Sequence, residues 1–347
     1  MTRQTMKYGL LLPHFGEHAS RDNLLQGARL AERLGFDSLW VRDHLVFHPH
    51  GMEGQDRTHI DPFVALGLIA GATDRITLGT GSLIPHRHPI HTAVSLTSLE
   101  RVAGPGRVIA GFGTGTFDHE FEAVGLGGIP RGQLMMEQID IIRRLWAGDE
   151  MSFEGKTYTF SDIDIHPSPA FRGSIPIWYC GNGPASVRRA VRLYDGWMPG
   201  RITRLTFEQR MMYMHTVAAE SGRPLPITGA IPITSPGRTR EEALARVNWQ
   251  GMLKSARTTW VTPASGAWEH PSDLEGALIA GPPERIVEET IKYYESGLDH
   301  IVYDLRFRYD DWLESIQLLG EEVLPKLRER PRVDDAALSV GARGAAE

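Results

Sequence analysis

Asp43 and His44 stand side by side just after the apolar run Ser38–Val41. An imidazole beside a carboxylate can donate or accept a proton near neutral pH, which suits oxidation or reduction of an alcohol, carbonyl or imine. The competing reading is that both residues cap the next loop. The same pattern recurs at residues 76–82, 107–115 and 175–183, where an apolar stretch breaks into Gly, Thr, Ser or Asn. In parallel α/β enzymes the carboxyl ends of strands carry the chemistry, so these positions are expected to converge on one site.

Gly111-Phe112-Gly113-Thr114-Gly115-Thr116 is rich in glycine but lacks the G-x-G-x-x-G spacing, and no helix is predicted directly behind it, so a dinucleotide fingerprint is not supported. Such a run can pass close under a flat ring, which would place Thr114 and Gly115 against a cofactor, or it can simply turn. At Gly181, Asn182 and Gly183 a strand breaks directly into a helix, whose first amides can hold a phosphate. Arg188 and Arg189 follow one turn in, where a solvated face is the alternative. Cys180 reads as core beneath the cofactor. His86, His88 and His91 cluster without an accompanying carboxylate pattern, and no metal is expected. His14, Phe15, Thr116, His119 and Trp260 are expected to line the substrate pocket, although Trp260 and Trp268 could equally be packing within an insert.

Positioning these residues requires an alternating chain. Residues 7–13, Ser38–Val41, 76–82, 107–115, 175–183, 196–198, 227–234 and 300–305 read as eight strands. Helical spacing of apolar residues marks Arg21–Leu34, 61–72, 91–102, 133–146, 184–194, 206–221, a helix from about Pro283, and 310–327. Such alternation implies parallel strands and an α/β fold, a (β/α)8 TIM barrel with insertions, in one domain over residues 1–330. Residues 151–170 read as a β-hairpin excursion around Glu154-Gly155-Lys156. Residues 236–281 read as an insert on the substrate side with one helix, and 331–347 as a disordered tail.

A net charge of −6 in 347 residues argues against nucleic acid or an anionic membrane surface as partner. A single cysteine excludes an intrachain disulfide framework and fits a reducing compartment, so a cytoplasmic location is expected. No apolar run approaches the ~20 residues of a membrane helix.

The strand ends, in this order, resemble the luciferase-like oxidoreductase superfamily. The most specific pieces are Trp40-Val41-Arg42-Asp43-His44, Leu78-Gly79-Thr80-Gly81, residues 104–113, Glu137-Gln138-Ile139-Asp140 running to Trp146, and Asp195-Gly196-Trp197. The resemblance runs from about Met6 to Leu327 and implies a flavin or deazaflavin at the carboxyl ends of the strands. Within the superfamily, Asp43-His44 looks like the pair of enzymes using coenzyme F420, the 8-hydroxy-5-deazaflavin, and the Glu-His-His run of the light-emitting members is absent. The resemblance also implies a non-prolyl cis peptide behind the ring, at Gly81-Ser82 or the bond after it. The activity it implies is hydride transfer between F420 and a small organic substrate, with His44 as proton partner, in a homodimer. An FMN-dependent monooxygenase and a non-catalytic flavin-binding protein are the alternatives. The family's sugar-phosphate dehydrogenases carry an acid directly after the Gly-Thr-Gly turn, where this chain has Thr116, and Glu120 comes four residues later. With only Lys254 and Lys292 in the relevant half, glucose 6-phosphate is not the expected substrate.

Overall fold

The structure is a computed structural model and describes residues 5–148, 150–259, 262–263 and 265–329. Trp260 and the tail from residue 331 lie outside them. In chain order the first elements are β1 (Lys7–Leu11), α1 (Arg21–Leu34), β2 (Ser38–Val41), α2 (Pro62–Ala70), β3 (Thr77–Thr80), α3 (Pro89–Ala103) and β4 (Val108–Gly113). Then come α4 (Asp118–Ala123), α5 (Arg131–Trp146), the hairpin β5 (Met151–Glu154) and β6 (Thr159–Ile163), β7 (Ile177–Cys180), α6 (Pro184–Leu193), β8 (Gly196–Trp197) and α7 (Arg204–Ser221). The last third holds β9 (Ile227–Ala230), β10 (Ile233–Pro236), α8 (Arg240–Ala245), α9 (Trp249–Thr259), β11 (Leu278–Gly281), α10 (Pro283–Glu295), β12 (His300–Tyr303), α11 (Trp312–Leu318) and α12 (Leu324–Arg328).

Eight of these strands close a parallel barrel in the order β1-β12-β9-β8-β7-β4-β3-β2. The first helix shows why the segments fold locally as they do. Ser20 caps α1 by accepting from the Asn23 N–H, and Leu24, Leu25, Ala28 and Ala31 fall on one buried face. Gly35, at φ 86°, then ends it in a conformation that costs glycine little. Gly27 lets that helix approach Trp312 of α11, because a Cβ there would lie 2.1 Å from the indole nitrogen.

Inside the barrel, Trp40 of β2 and Trp178 of β7 meet with ring centroids 5.5 Å apart, both fully buried. Opposite them stand Gly79 and Gly196, where a Cβ would come within 2.4 Å and 2.5 Å of those rings. Large rings set against glycines fill the barrel, so the cleft lies above the strands' carboxyl ends and not through them.

Two segments depart from the reading by periodicity. The seventh strand stops at Ala230, and after Pro232, which has no N–H to donate to a ladder, the chain forms β10 and pairs with β11 outside the barrel. The insert accordingly holds a strand and two helices where one helix was expected. The final helix is interrupted by a π-turn at residues 319–323.

Burial sets an acid limit on this fold. His14, His50 and His300 are held neutral, with burial pushing them down to about 3, about 4 and about 4 from an ordinary 6.5. Below pH 6.5 the unfolded chain takes up these protons and the folded chain does not. Stability is therefore expected to fall as pH drops from 6.5 towards 4, by about 1.4 kcal/mol per pH unit for each histidine once the unfolded ring is protonated. Thermal unfolding followed between pH 7 and pH 5 checks this; a melting temperature flat over that range would refute it.

Candidate active site

A cleft opens at the carboxyl ends of the barrel strands, and Asp43, His44, Gly81, Ser82, Thr114, Gly115, Thr116, Cys180, Gly181 and Asn182 all line it. Ten of the positions singled out in the sequence are thus brought together. The peptide bond between Gly81 and Ser82 is cis, at the first of the two bonds expected. Gly113 must lack a side chain here, because a Cβ would lie 2.3 Å from the Ser82 hydroxyl.

Neighbouring residues leaving a strand point to opposite sides, and Asp43 and His44 part company accordingly. Asp43, 2% exposed, turns to the loop after β3: Arg87 donates from Nε at 2.9 Å and from Nη2 at 2.8 Å, and the Ile84 N–H donates at 3.0 Å. Arg87 also donates to Asp61 at 2.7 Å, the residue that caps α2. Asp43 therefore locks β2, the loop after β3 and the start of α2 to one another.

The acid that meets His44 is Glu120. Its carboxylate, fully buried, accepts from His44 Nδ1 at 3.2 Å and from the N–H groups of Leu45 at 2.6 Å and Val46 at 3.1 Å. Burial alone would raise the carboxyl, but the imidazole and the two amides together hold it below its ordinary value. A carboxylate on Nδ1 fixes the ring's orientation and leaves Nε2 as the nitrogen that can exchange a proton. The one sequence signal for Glu120 is its position four residues past Thr116. Sequence reasoning misses it because the expected acid stands directly after the Gly-Thr-Gly turn, and because α4, the short helix that carries Glu120 back towards β2, gives no periodic signal.

The remaining expected positions lie elsewhere. His14 is fully buried beneath the cleft, with Nδ1 donating to the Leu12 carbonyl and Nε2 accepting from the Arg42 N–H at 3.0 Å. Phe15 faces a second cavity, lined also by Phe47, Glu53, Arg306 and Tyr309. His119 donates to the Val46 carbonyl at 3.0 Å and stacks on His48 at 4.2 Å. Gly183 forms the start of α6, and nothing lies within 4 Å of where its Cβ would be. The Cys180 thiol is pushed up to about 12 by burial, so no thiolate is available for chemistry near neutral pH. No group of three His, Cys, Asp or Glu side chains among the described residues is arranged to hold a metal ion.

Sequence reading misses the charged wall on the other side of the cleft. Arg42, Arg201, Asp304 and Arg306 line it, from the ends of β2, β8 and β12. Arg306 pairs with both Asp304 and Glu53, and Arg42 donates from Nη1 to Glu53 at 3.3 Å. The insert between residues 236 and 281 contributes nothing described to the cleft lining. Its Arg246 and Asn248 face the second cavity, and Met252 is fully buried.

Residues 6–300 match the family model described as luciferase-like monooxygenase. An F420-dependent glucose-6-phosphate dehydrogenase of Beutenbergia cavernae is 32% identical over 342 residues, covering 91% of this chain and 96% of that protein. An F420-dependent hydroxymycolic acid dehydrogenase of Mycobacterium tuberculosis is 29% identical, covering 92% and 88%. Among solved structures, an F420-dependent secondary alcohol dehydrogenase in complex with an F420-acetone adduct superposes with a TM-score of 0.78 at 20% identity, covering 94% of this chain and 100% of that one.

Proposed function

This chain belongs to the luciferase-like monooxygenase family, and from that premise we propose that it is an oxidoreductase passing hydride between coenzyme F420 and a small organic substrate, with His44 as the proton partner. The observation that carries the reading is the His44–Glu120 pair at a cleft walled on one side by glycine, serine and threonine and on the other by charged side chains. A bound deazaflavin supplies the hydride donor or acceptor, and the protein supplies binding, orientation and the proton.

The residues present fit such a group. Glycines at 81, 113 and 115 keep the cleft wall low, and no side chain caps α6; Pro184 brings no N–H and the Ser186 N–H donates to the Gly183 carbonyl, so the Gly183 and Ala185 amides are the ones left for a phosphate. His44 is held by Glu120 on one nitrogen and flanked by Phe47 and Phe117, with ring centroids at 5.3 Å and 5.5 Å, so its orientation is fixed before substrate arrives. Thr116, at the cleft, takes the place of the acid expected in sugar-phosphate dehydrogenases, which leaves His44 as the proton carrier.

The test is parallel titration of the purified protein with oxidised F420 and with FMN. Tighter F420 binding is expected; tighter FMN binding would favour a monooxygenase, and F420 binding without turnover across alcohols and carbonyls would favour a carrier. In the same titration Gly183→Leu should bind F420 at least tenfold more weakly while melting at the wild-type temperature, because its side chain meets open space in the protein and blocks close approach to the helix amides. Unchanged affinity would place the phosphate elsewhere.

The reading extends to a homodimer in the cytoplasm, for which a lone, inert cysteine is the compatible feature. Light scattering reads the oligomer directly. No helix among the described residues is long and apolar enough to cross a membrane.

A further inference from the structure

Residues 165–207 are one-sided in charge. They hold six arginines, at 172, 188, 189, 192, 201 and 204, against one acid, Asp195, although the whole chain has a net charge of −6. Asp195 is turned to the amino ends of the strands, where it accepts from the Ile177 N–H at 2.8 Å. Helix α6 therefore carries Arg188, Arg189 and Arg192 with no acid of its own. The outer face of α10 shows how a merely solvated helix of this protein is built: there Arg285 pairs with Glu289 at 3.0 Å and Lys292 with Glu288 at 2.9 Å.

The flanking helices do not neutralise α6. Asp118 of α4 pairs with Arg131, and on α5 Asp140 lies 4.0 Å from Arg144 while Glu137 accepts from the Thr157 and Tyr158 N–H groups. On α7, Glu208 pairs with Arg204. Arg188 and Arg192 are exposed, and Arg188 donates to the Tyr213 hydroxyl of α7 at 3.2 Å. Arg189 turns to the other flank, donating to the Tyr179 hydroxyl at 3.1 Å beside Gly132 of α5. Helix α7 adds a fourth guanidinium: Arg210, 9% exposed, donates from Nε to the Asn182 carbonyl at 2.9 Å, just before α6 begins. Among the described residues, no carboxylate lies within ion-pair distance of Arg188, Arg189, Arg192 or Arg210. Four unpaired positive charges around one helix repel one another, and an anion laid among them relieves all four.

Three of the four form a path. Arg210 stands beside Asn182 at the cleft, Arg188 follows in the groove between α6 and α7, and Arg192 comes one helical turn further on the same face, about 6 Å along the axis. The path begins at the Gly183 and Ala185 amides, where the phosphate is assigned above. Resting on the F420 reading, we propose that this groove binds the oligoanionic tail of the cofactor, the chain of glutamates that F420 carries beyond its phosphate, with successive carboxylates meeting Arg210, Arg188 and Arg192. Guanidiniums suit the task, since each presents paired N–H donors to the two oxygens of a carboxylate. Arg189 adds to the positive field from the opposite flank. FMN ends at its phosphate and has nothing to place in the groove, so the two cofactors are told apart here at a distance from the ring.

The experiment titrates the full chain with three oxidised ligands and reads uptake by deazaflavin fluorescence: the deazaflavin with its ribityl chain alone, F420 stripped of its glutamates but keeping its phosphate, and F420 with its tail. At about 20 mM salt the tailed form is expected to bind about 5- to 50-fold more tightly than the stripped form, the margin of three largely exposed ion pairs acting together. That margin should shrink to within about twofold at about 500 mM salt. Replacing both exposed arginines, Arg188→Gln with Arg192→Gln, should remove most of the margin while the melting temperature and the affinity for the stripped form stay unchanged. Arg210→Gln should remove part of it, and the double variant keeps the test open should Arg210→Gln not fold. Equal affinity for tailed and stripped F420 overturns the proposal, as does a margin that survives the double variant or is indifferent to salt. If the double variant weakens the stripped form equally, these arginines serve the phosphate and the proposal fails. Uptake of none of the three ligands overturns the function proposed above and the tail site with it, whereas uptake of the stripped form with no gain from the tail overturns the tail site alone.

Discussion

Replacing His44 by alanine is expected to lower turnover about 10²–10⁴-fold, the usual contribution of a positioned acid–base group, while F420 affinity stays within a few fold of wild type. The hydrogen bond of His44 goes to Glu120, and the Leu45 and Val46 amides go on satisfying that carboxylate after the ring is gone. The variant should therefore remain folded, and its defect should lie in kcat, since the lost interaction belongs to the reaction step. Steady-state kinetics with saturating F420 and an active alcohol or carbonyl substrate reads the effect. A variant that turns over at near wild-type rate would remove His44 from the mechanism.

Arg87→Ala is expected to be the most destabilising single change near the site, costing about 3–5 kcal/mol in denaturant unfolding. The Asp43 carboxylate is enclosed, and two of its hydrogen bonds come from this guanidinium. Truncation strands a buried negative charge with the Ile84 amide and the more distant His86, 3.7 Å away. It also frees Asp61 from its tie to the loop after β3. Because Asp43 lines the cleft, F420 binding should weaken together with stability. A loss under about 1 kcal/mol, the scale of an exposed ion pair, would show that Asp43 does not depend on Arg87.

The barrel was legible because its signals are local. Each barrel strand is a short apolar run followed by a turn residue, and α1 displays its cap, its buried stripe and its terminating glycine in consecutive letters. The strand ends that line the cleft were legible for the same reason. Partnerships across the barrel were not. Adjacent Asp43 and His44 suggest a working pair, and only the pleat of the chain shows that one turns to Arg87 and the other to Glu120, 76 residues away. The charged wall was hidden because its members come from three separate stretches, Arg42 with Glu53, Arg201, and Asp304 with Arg306, and each alone reads as an ordinary surface charge. An inventory of lysines could not reveal it. The split after Ala230 was similarly veiled: residues 227–234 keep a strand's composition, and Pro232 alone marks the exit from the barrel.

β8 is only two residues long, bridging Trp178 and Tyr179 on one side and Ile227 and Thr228 on the other. With so few backbone bonds, the wall here is closed largely by a side chain: Trp197 is fully buried and its indole donates to the Gly181 carbonyl at 2.9 Å. Just beyond, the Gly200 N–H donates to the Asn182 side chain at 2.7 Å, stitching the loop that bears Arg201 to the loop before α6. In hydrogen-exchange terms this seam is where the barrel should breathe first, since β8 is the shortest strand in the wall and has a two-pair ladder on each side. A ligand that spans Asn182 and Arg201 would bridge the two sides of the seam, so occupancy of the cleft and slow exchange at residues 196–200 should rise together.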